Sequence, residues 1–256
     1  MTTVQWDHIV HYVNDLDDAI QTFNENGLTA FKGGSHTEWG TYNALSYFGL
    51  TYIEFLGVED RETAINADVP NLVVKDAVAA LPEQEVLSRV AIRTDDIQTI
   101  AASLRSHGLE LSPIMDGKRV DTNGRLIEWK MMTIDGNFQE LVYPFVIQWK
   151  DTDADRLANL NDSGIIQPHP AGHVEIQSAV FNVTDPVSAA LHWQALFGLS
   201  VVESDAASVT LGIGEQTFIF KQGNANQFSK VIFQSEANHL IGKTINIGDG
   251  EYVFQK

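Results

Sequence analysis

The sequence predicts an α+β fold built from repeated βαβββ modules. Strand-like segments rich in β-branched and aromatic residues are each followed by an amphipathic helix, and further strand-like runs come after each helix. Each helix ends at a glycine followed by leucine, the expected stop signal before a new strand. A fixed element order that recurs over a long period indicates one repeated supersecondary unit. The glycine-leucine pairs are Gly27-Leu28, Gly108-Leu109 and Gly198-Leu199.

The first module is predicted from residues 4–58. Val4–Val13 is typical of a strand, and Asp15–Asn26 has apolar residues at helical spacing before Gly27. Strand-like runs separated by glycines complete the β-α-β-β-β order. These runs are Leu28–Gly33, Tyr42–Phe48 and Thr51–Val58.

The second module repeats this order. Ser88–Thr94 is predicted to be a strand, and Asp95–His107 places Ile97, Ile100 and Leu104 on one helical face. The predicted strands that follow are near Leu111–Met115, Leu126–Ile134 and Asn137–Ile147.

A third module and a shorter tail follow. Glu175–Val183 is predicted to be a strand and Pro186–Phe197 a helix, with strands near Leu199–Ser204, Ser208–Ile213 and Thr217–Gln222. The tail from Asn226 to Lys256 has room for strands only, which predicts a truncated fourth module. The polar segment Asp151–Gly172 contains two prolines and is predicted to be a linker. We therefore expect two domains, residues 1–150 and 173–256, joined by residues 151–172.

Composition limits the classes of function. The chain has 256 residues, 44% of them hydrophobic, so it is able to bury a sizeable core. Its formal net charge of -18 argues against nucleic acid and anionic membrane surfaces as partners. It contains no cysteine, which excludes disulfides, thiolate nucleophiles and cysteine-based metal sites. Without a predicted leader or membrane span, we expect a cytoplasmic protein that binds a small molecule.

Four sequence blocks carry a family resemblance. They are DHIV at 7–10, GGSHTEWGTYN at 33–43, TYIEFL at 51–56 and HPAGHV at 169–174. With the βαβββ order, they make the chain resemble the glyoxalase-like branch of the vicinal-oxygen-chelate superfamily. The resemblance implies paired modules that form curved mixed sheets around a cavity. It also implies a divalent metal held by the first and fourth strands of each module.

The resemblance implies a ligand set in the first two modules. It assigns His8 and Glu54 from the first module, while alignment of the modules places Arg89 at the position of His8 and Glu140 opposite Glu54. A metal held by His8, Glu54 and Glu140 would be Zn, Mn, Fe or Ni. Because arginine stays protonated, Arg89 would alternatively pair with one of these carboxylates and remove the reason for a metal. Both alternatives stay open at this point.

Strand periodicity predicts which side chains share the cavity. Side chains alternate faces along a strand, so Trp6, His8, Val10 and Tyr12 are expected on one face of the first strand. On the equivalent strand of the second module, Arg89 and Arg93 share that face. Arg93 and Tyr12 would bind an anionic group of a substrate, or Arg93 would form an ordinary salt bridge at a strand end.

The loop before the third strand supplies further candidates. His36, Trp39, Thr41 and Asn43 are expected to position a substrate, with His36 as an acid or base near neutral pH. The alternative is a structural loop in which Trp39 is a buried anchor and Thr41 and Asn43 bind backbone. The third module places Ala179 at the position of His8 and Ile219 or Phe220 at that of Glu54, so chemistry is expected in residues 1–147.

Two functions follow from these residues. The first is a glyoxalase-like lyase or isomerase that acts on a small oxygenated metabolite, with Glu54 or Glu140 as ligand or base and His36 assisting. An extradiol dioxygenase is disfavoured because that chemistry uses two histidines and one carboxylate. The second function is a non-catalytic binding or sequestering protein with an arginine–carboxylate pair in place of the metal. Either a monomer or a homodimer is compatible with the modules.

Overall fold

A computed structural model describes residues 3–67, 70–120, 124 and 126–256, without the side chains of residues 119 and 120. The first module and the segment after it contain α1 (Leu16–Glu25), α2 (Arg61–Asn66) and α3 (Leu72–Ala80), and strands β1 (Val4–Tyr12), β2 (Phe31–His36), β3 (Thr41–Phe48) and β4 (Thr51–Val58). Helix α1 begins where predicted, because the Asp15 carboxylate accepts hydrogen bonds from the backbone amides of Asp17 and Asp18. Helices α2 and α3 were not predicted from the sequence.

The second module and the segment after it extend from β5 to α5. The elements are β5 (Leu87–Thr94), α4 (Ile97–Ser106), β6 (Met115–Val120), β7 (Leu126–Met132), β8 (Asn137–Phe138), β9 (Leu141–Val142), β10 (Phe145–Trp149) and α5 (Asp153–Asp162). The single strand predicted over Asn137–Ile147 is wrong, because this segment forms the β8–β9 hairpin and then β10. Helix α5 lies within the predicted linker and buries Arg156 and Leu160.

The remaining elements form the second half of the chain. They are β11 (Val174–Val183), α6 (Pro186–Phe197), β12 (Ser200–Ser204), β13 (Ser208–Ile213), β14 (Gln216–Gln222), β15 (Gln227–Ser235), β16 (Thr244–Ile247) and β17 (Gly250–Gln255). Gly198 ends α6 with a φ of 66°, the left-handed conformation that glycine adopts without strain. The domain boundaries at residues 150 and 173 stay a prediction.

The strands form two large mixed sheets, which confirms the predicted α+β fold with curved sheets. The first sheet has eight strands in the order β2-β3-β4-β1-β5-β10-β7-β6. The second has seven, in the order β12-β13-β14-β11-β15-β17-β16. In the first sheet, β1 and β5 are antiparallel neighbours at the centre, and each pairs in parallel with the last strand of its own module. The same arrangement recurs around β11 and β15.

A β-bulge at Asp7 changes the faces predicted for β1. Trp6 pairs with Ile92 and His8 with Ala91, so Asp7 is the extra residue between two consecutive pairs. Trp6 therefore leaves the face of His8 and packs in the core against Phe218, at a ring-centroid distance of 5.2 Å. The prediction that Trp6 shares a face with His8 is wrong, because the bulge interrupts the alternation of side chains.

One hydrophobic core lies between the two sheets. Besides Trp6 and Phe218, it joins Phe48 of β3 to Phe233 of β15, whose ring centroids are 4.9 Å apart. One face of the first sheet is buried in this core. The opposite face of that sheet lines a cavity, which is described below. Among the described helices, none is long and apolar enough to cross a bilayer.

His11 is a buried histidine within this core. Its Nδ1 atom lies 2.5 Å from the hydroxyl of Tyr252 on β17. Burial lowers the pKa of His11 to about 3. The folded protein therefore does not take up the proton that the unfolded chain binds below about pH 6.5, so stability falls as the pH drops.

We predict that this histidine makes the protein acid-sensitive. As the pH falls from 6 to 4, the free energy of unfolding of the wild-type protein should decrease by about 2–3 kcal/mol more than that of His11→Gln, which has no titrating side chain at position 11. Urea denaturation of both proteins at several pH values measures the two slopes. Parallel slopes would show that His11 is protonated in the folded state.

Candidate functional site

A cavity, called here the inner cavity, lies on the face of the first sheet that points away from the second sheet. Its volume is about 620 Å³, with the open space at its mouth included. Strands β1, β3, β4, β7 and β10 supply most of its walls, and α3 covers one side. Its lining residues are His8, His36, Trp39, Thr41, Asn43, Leu45, Tyr52, Glu54, Leu56, Asn71, Val73, Val74, Trp129, Met131, Phe145, Ile147 and Trp149.

Six of the predicted site residues line this cavity. They are His8, His36, Trp39, Thr41, Asn43 and Glu54. Residues of the loop block therefore share one cavity with residues from the middle of β1 and of β4. Most of the other walls are apolar or aromatic.

His8 is held between two carboxylates. Its Nδ1 atom lies 2.6 Å from Asp7 Oδ1, and its Nε2 atom lies 3.5 Å from Glu54 Oε2. Tyr52 stacks on the imidazole with ring centroids 4.5 Å apart, and Phe145 lies in a T-shaped arrangement with it, with ring centroids 5.3 Å apart. These contacts fix the ring, so Nδ1 faces Asp7 while Nε2 faces Glu54 and the cavity.

The charges around His8 favour its protonated form. Burial alone would lower the pKa of His8, but the hydrogen bonds and charges of Asp7 and Glu54 raise it above the ordinary value. Burial would raise the pKa of Glu54, but His8, then the charge of His36 and the hydrogen bond from Asn43, lower it to about 2. These contacts therefore favour an imidazolium at His8 beside an ionised carboxylate at Glu54.

Asn43 fixes the orientation of Glu54. The amide Nδ2 of Asn43 donates to Glu54 Oε1 at 2.6 Å, and Asn43 is 5% exposed. The neighbouring β3 and β4 place these residues diagonally across the ladder, because Leu45 pairs with Glu54 and Asn43 with Leu56. The predicted alternative, in which Asn43 only binds backbone, therefore does not describe its contacts.

Asp7 completes the site and was missed by sequence reasoning. It is fully buried, and the bulge turns it toward His8. Its Oδ2 atom accepts hydrogen bonds from Trp149 Nε1 at 2.8 Å and Arg156 Nη1 at 3.1 Å. Burial would raise the pKa of Asp7, but Arg156 and then His8 lower it to about 2. Strict strand alternation hides such a residue, since it places Asp7 and His8 on opposite faces.

The loop between β2 and β3 places His36 and Trp39 at the cavity mouth. His36 Nδ1 lies 3.1 Å from Thr41 Oγ1, and the His36 and Trp39 rings are 5.6 Å apart. Gly40 has a φ of 63°, and a Cβ there would lie 2.3 Å from the backbone oxygen of Asp60. The WGT segment therefore requires glycine at its centre for the close approach of the chain after β4.

Glu140 lies outside the inner cavity. It is exposed in the turn between β8 and β9, with a φ of 73°, and its amide bonds to Asn137 Oδ1. The pairing of Val10 with Glu54 and of Ala91 with Phe145 shows that Phe145 occupies the position equivalent to Glu54. The predicted placement of Glu140 opposite Glu54 is therefore wrong, because the hairpin interrupts the strand assumed in the alignment.

Arg89 occupies the position equivalent to His8, as the alignment predicts. His8 pairs with Ala91 and Arg89 with Val10 around the central pair of β1 and β5. The Arg89 guanidinium donates to Asp76 Oδ2 from Nε at 3.0 Å and from Nη2 at 2.6 Å, and to the Tyr143 carbonyl at 2.6 Å. The predicted pair of Arg89 with Glu54 or Glu140 is wrong. The partner comes from α3, an element that the sequence reading did not include.

The other two predicted substrate-binding residues also lie outside the cavity lining. Arg93 binds Asp153 of α5 with Nε–O distances of 3.0 and 3.1 Å and donates to the Trp6 carbonyl. Tyr12 is buried and donates to the Val73 carbonyl at 2.8 Å. Arg93 thus forms the salt bridge that was the alternative prediction, and Tyr12 anchors α3.

The residues present do not fit the predicted metal centre. In the part of the chain that the structure describes, no group of three histidine, aspartate or glutamate side chains is placed to hold a metal ion. Only His8 and Glu54 of the predicted ligand set reach the cavity, and His8 Nδ1 already contacts Asp7. The equivalent positions in the second module carry Arg89, which stays protonated, and Phe145, which has no donor atom. A centre with three protein ligands would need one more donor.

The second sheet has no equivalent of the His8–Glu54 pair. Its bulge lies at Gln177, so the register places Ser178, rather than the predicted Ala179, at the position of His8. Val180 pairs with Ile219, which confirms Ile219 as the equivalent of Glu54. The polar pair that faces a cavity therefore belongs to the first sheet.

We predict that Arg89 contributes mainly to stability. Arg89→Met should lower the free energy of unfolding by about 3 kcal/mol, because it removes a buried cation from its carboxylate and leaves the Tyr143 carbonyl unpaired. Urea denaturation measures the change. Arg61 is the matched control, since it donates to the backbone carbonyls of Leu81 and Val78 from an exposed position. Equal effects of Arg89→Met and Arg61→Met would contradict the prediction.

Comparison with known proteins places the chain in a family. A family model described as a glyoxalase-like domain matches residues 6–197. A hypothetical protein from Staphylococcus aureus superposes with a TM-score of 0.85 at 23% identity, covering 98% of this chain and 99% of that chain. The Mn(II)-bound glyoxalase from Novosphingobium aromaticivorans superposes with a TM-score of 0.56 at 11% identity, covering 100% and 83%. Among curated proteins, none is significantly similar. The chain belongs to the glyoxalase-like domain family of the vicinal-oxygen-chelate superfamily.

Proposed function

We propose that the protein is an isomerase- or lyase-type enzyme that moves a proton on a small oxygenated molecule bound in the inner cavity. The observation that carries this proposal is the line of contacts from Asp7 through His8 to Glu54 on the cavity wall. A histidine oriented by a buried carboxylate on one nitrogen presents its other nitrogen for acid–base chemistry. The opposite charges of His8 and Glu54 give the cavity both an acid and a base.

The two groups have different parts in this chemistry. Glu54 accepts a proton from the carbon next to a carbonyl group, and the electron pair of that bond moves toward the carbonyl oxygen. His8 donates from Nε2 to this oxygen as negative charge develops there. The proton then returns from Glu54 to the same carbon, or to the former carbonyl carbon of a 2-hydroxy carbonyl compound, while a hydroxyl proton of the enol returns to His8 Nε2. This completes the isomerisation and restores both side chains. The 3.5 Å gap between His8 and Glu54 is long for a hydrogen bond, so a polar group of a substrate is able to replace this contact.

The cavity walls support one class of substrate. Indole rings from Trp39, Trp129 and Trp149 line the same cavity as the polar pair, and most of the remaining lining is aliphatic or aromatic. Apolar walls with a few polar groups are typical of sites for small organic molecules. A carbonyl compound with an apolar body fits both features, since its oxygen would face His8 and its body the aromatic walls.

Proton transfer by side chains fits the donor set better than a metal centre with three protein ligands does. The glyoxalase from N. aromaticivorans shares the fold and is Mn(II)-bound. In this chain, Arg89 and Phe145 stand at the positions where the second module would supply further donors. For this reason, we assign the acid–base roles to His8 and Glu54 themselves.

Binding without turnover is the second candidate function. The observation that favours it is the aromatic lining, which would hold a flat apolar ligand whether or not a proton moves. The two functions differ in one property, because only the enzyme exchanges a hydrogen of its ligand with solvent.

Hydrogen exchange in deuterium oxide tests the proposal. The wild-type protein is incubated with a panel of small aldehydes, ketones and 2-hydroxy carbonyl compounds, and deuterium incorporation at the carbon next to the carbonyl is followed by NMR. We expect incorporation with at least one class. His8→Gln and Glu54→Gln should slow it by about 10²–10⁴-fold, the usual contribution of a general acid or base.

Glu140→Gln is the matched control, because Glu140 is an exposed glutamate outside the cavity. Its exchange rate should equal that of the wild type. Ligand binding detected by tryptophan fluorescence, with no deuterium incorporation in any bound compound, would support the binding function and contradict the enzyme. Equal rates in wild type and both site variants would remove His8 and Glu54 from the chemistry.

A further inference from the structure

Helix α5 carries a buried arginine at the back of the site. Arg156 is 6% exposed, while its neighbours Asp155 and Leu157 are exposed. Its guanidinium carbon lies 4.1 Å from the ring centroid of Trp149, and Nη1 donates to Asp7 Oδ2 at 3.1 Å. The segment between the two sheets therefore reaches the carboxylate that holds His8.

The contacts of Arg156 differ from those of the structural Arg89. Arg89 donates three hydrogen bonds, two to Asp76 and one to the Tyr143 carbonyl. Arg156 Nη2 is buried and has no hydrogen-bond partner among the described residues, and the ion pair of Arg156 is with Asp7. An incompletely paired buried arginine is a poor source of stability. Stability alone therefore does not account for the contact of Arg156 with Asp7, which indicates a role in the site.

The two oxygens of Asp7 have separate partners. Oδ2 accepts from Trp149 and Arg156, which leaves Oδ1 for the His8 imidazole. Asp7 is fully buried on β1, so without these donors its carboxylate would keep only the hydrogen bond with His8 among its side-chain contacts described above. The donors to Oδ2 thus decide how the carboxylate is aimed at His8 Nδ1.

We propose that Arg156 is a positioning residue, which acts through Asp7 to keep the proton of His8 on Nδ1 and the Nε2 atom directed into the inner cavity. The site is then incomplete in the first two modules alone and is finished by the helix that joins the two sheets. This inference rests on the proposed function only for its effect on catalysis. The geometry of His8 itself is measurable without a substrate.

The test compares Arg156→Met, Arg156→Lys and the wild type by ¹H and ¹⁵N NMR at pH 7. A His8 Nδ1 proton bonded to Asp7 gives a downfield resonance that is protected from exchange with water. We expect Arg156→Met to shift this resonance upfield and speed its exchange, and Arg156→Lys, which keeps the positive charge, to restore it in part. Leu157→Ala is the control on the exposed face of the same helix and should leave the resonance unchanged.

An unchanged Nδ1 resonance in folded Arg156→Met would overturn the inference. If that variant does not fold, Arg156→Gln replaces it, since Gln is uncharged and shorter than Arg and loses the ion pair with Asp7, and an unchanged resonance there is equally contrary. Once an exchanging ligand is found, Arg156→Met should lower kcat by about 10–100-fold with little change in KM, as expected for a residue behind the reacting groups. A shifted resonance in a protein that exchanges no ligand would support the inference while contradicting the proposed function.

Discussion

The buried contact between the Asp7 carboxylate and the His8 imidazole sets the geometry of the inner cavity. Two successive residues of a regular strand point to opposite faces, so this contact depends on the bulge between the Trp6 and His8 pairs. The bulge sends the indole of Trp6 into the core and brings the carboxylate beside the histidine. One local irregularity therefore supplies both a core contact and a polar site. The surrounding donors, Trp149 and Arg156, offset the cost of burying the charge.

The two modules of the first sheet have similar backbones and different chemistry. Their central strands are related so that His8 corresponds to Arg89 and Glu54 to Phe145. In the first module, the pair remains in the cavity wall. In the second module, Arg89 forms an ion pair with Asp76 on helix α3, and Phe145 lies in a T-shaped arrangement with the imidazole of His8. Of the two equivalent positions for a histidine and a carboxylate in this sheet, only those of the first module carry these side chains.

Much of the fold and part of the site were predictable from the sequence. The module order, the helix stops and the position of His8, Glu54 and Asn43 at the cavity follow from periodicity and from the family resemblance. Asp7 was not recognised as a site residue because of the bulge, and Glu140 was placed wrongly because of the two-residue turn between β8 and β9. Both features depend on tertiary pairing, which strand periodicity does not report. The contact of Arg156 joins residues 149 positions apart, and a polar segment with prolines resembled a linker. Long-range ion pairs of this kind leave no local pattern.

The most direct measurement of the central claim is the protonation of His8 in the wild-type protein, followed by ¹⁵N NMR over a range of pH. If Asp7 and Glu54 hold the imidazole as proposed, both ring nitrogens carry protons in more than half of the molecules at pH 6.5, the ordinary pKa of histidine. Glu54→Gln should then lower the pKa of His8, because it removes one of the two charges that favour the proton. A His8 that is neutral at pH 6.5 and does not respond to Glu54→Gln would contradict the acid–base site.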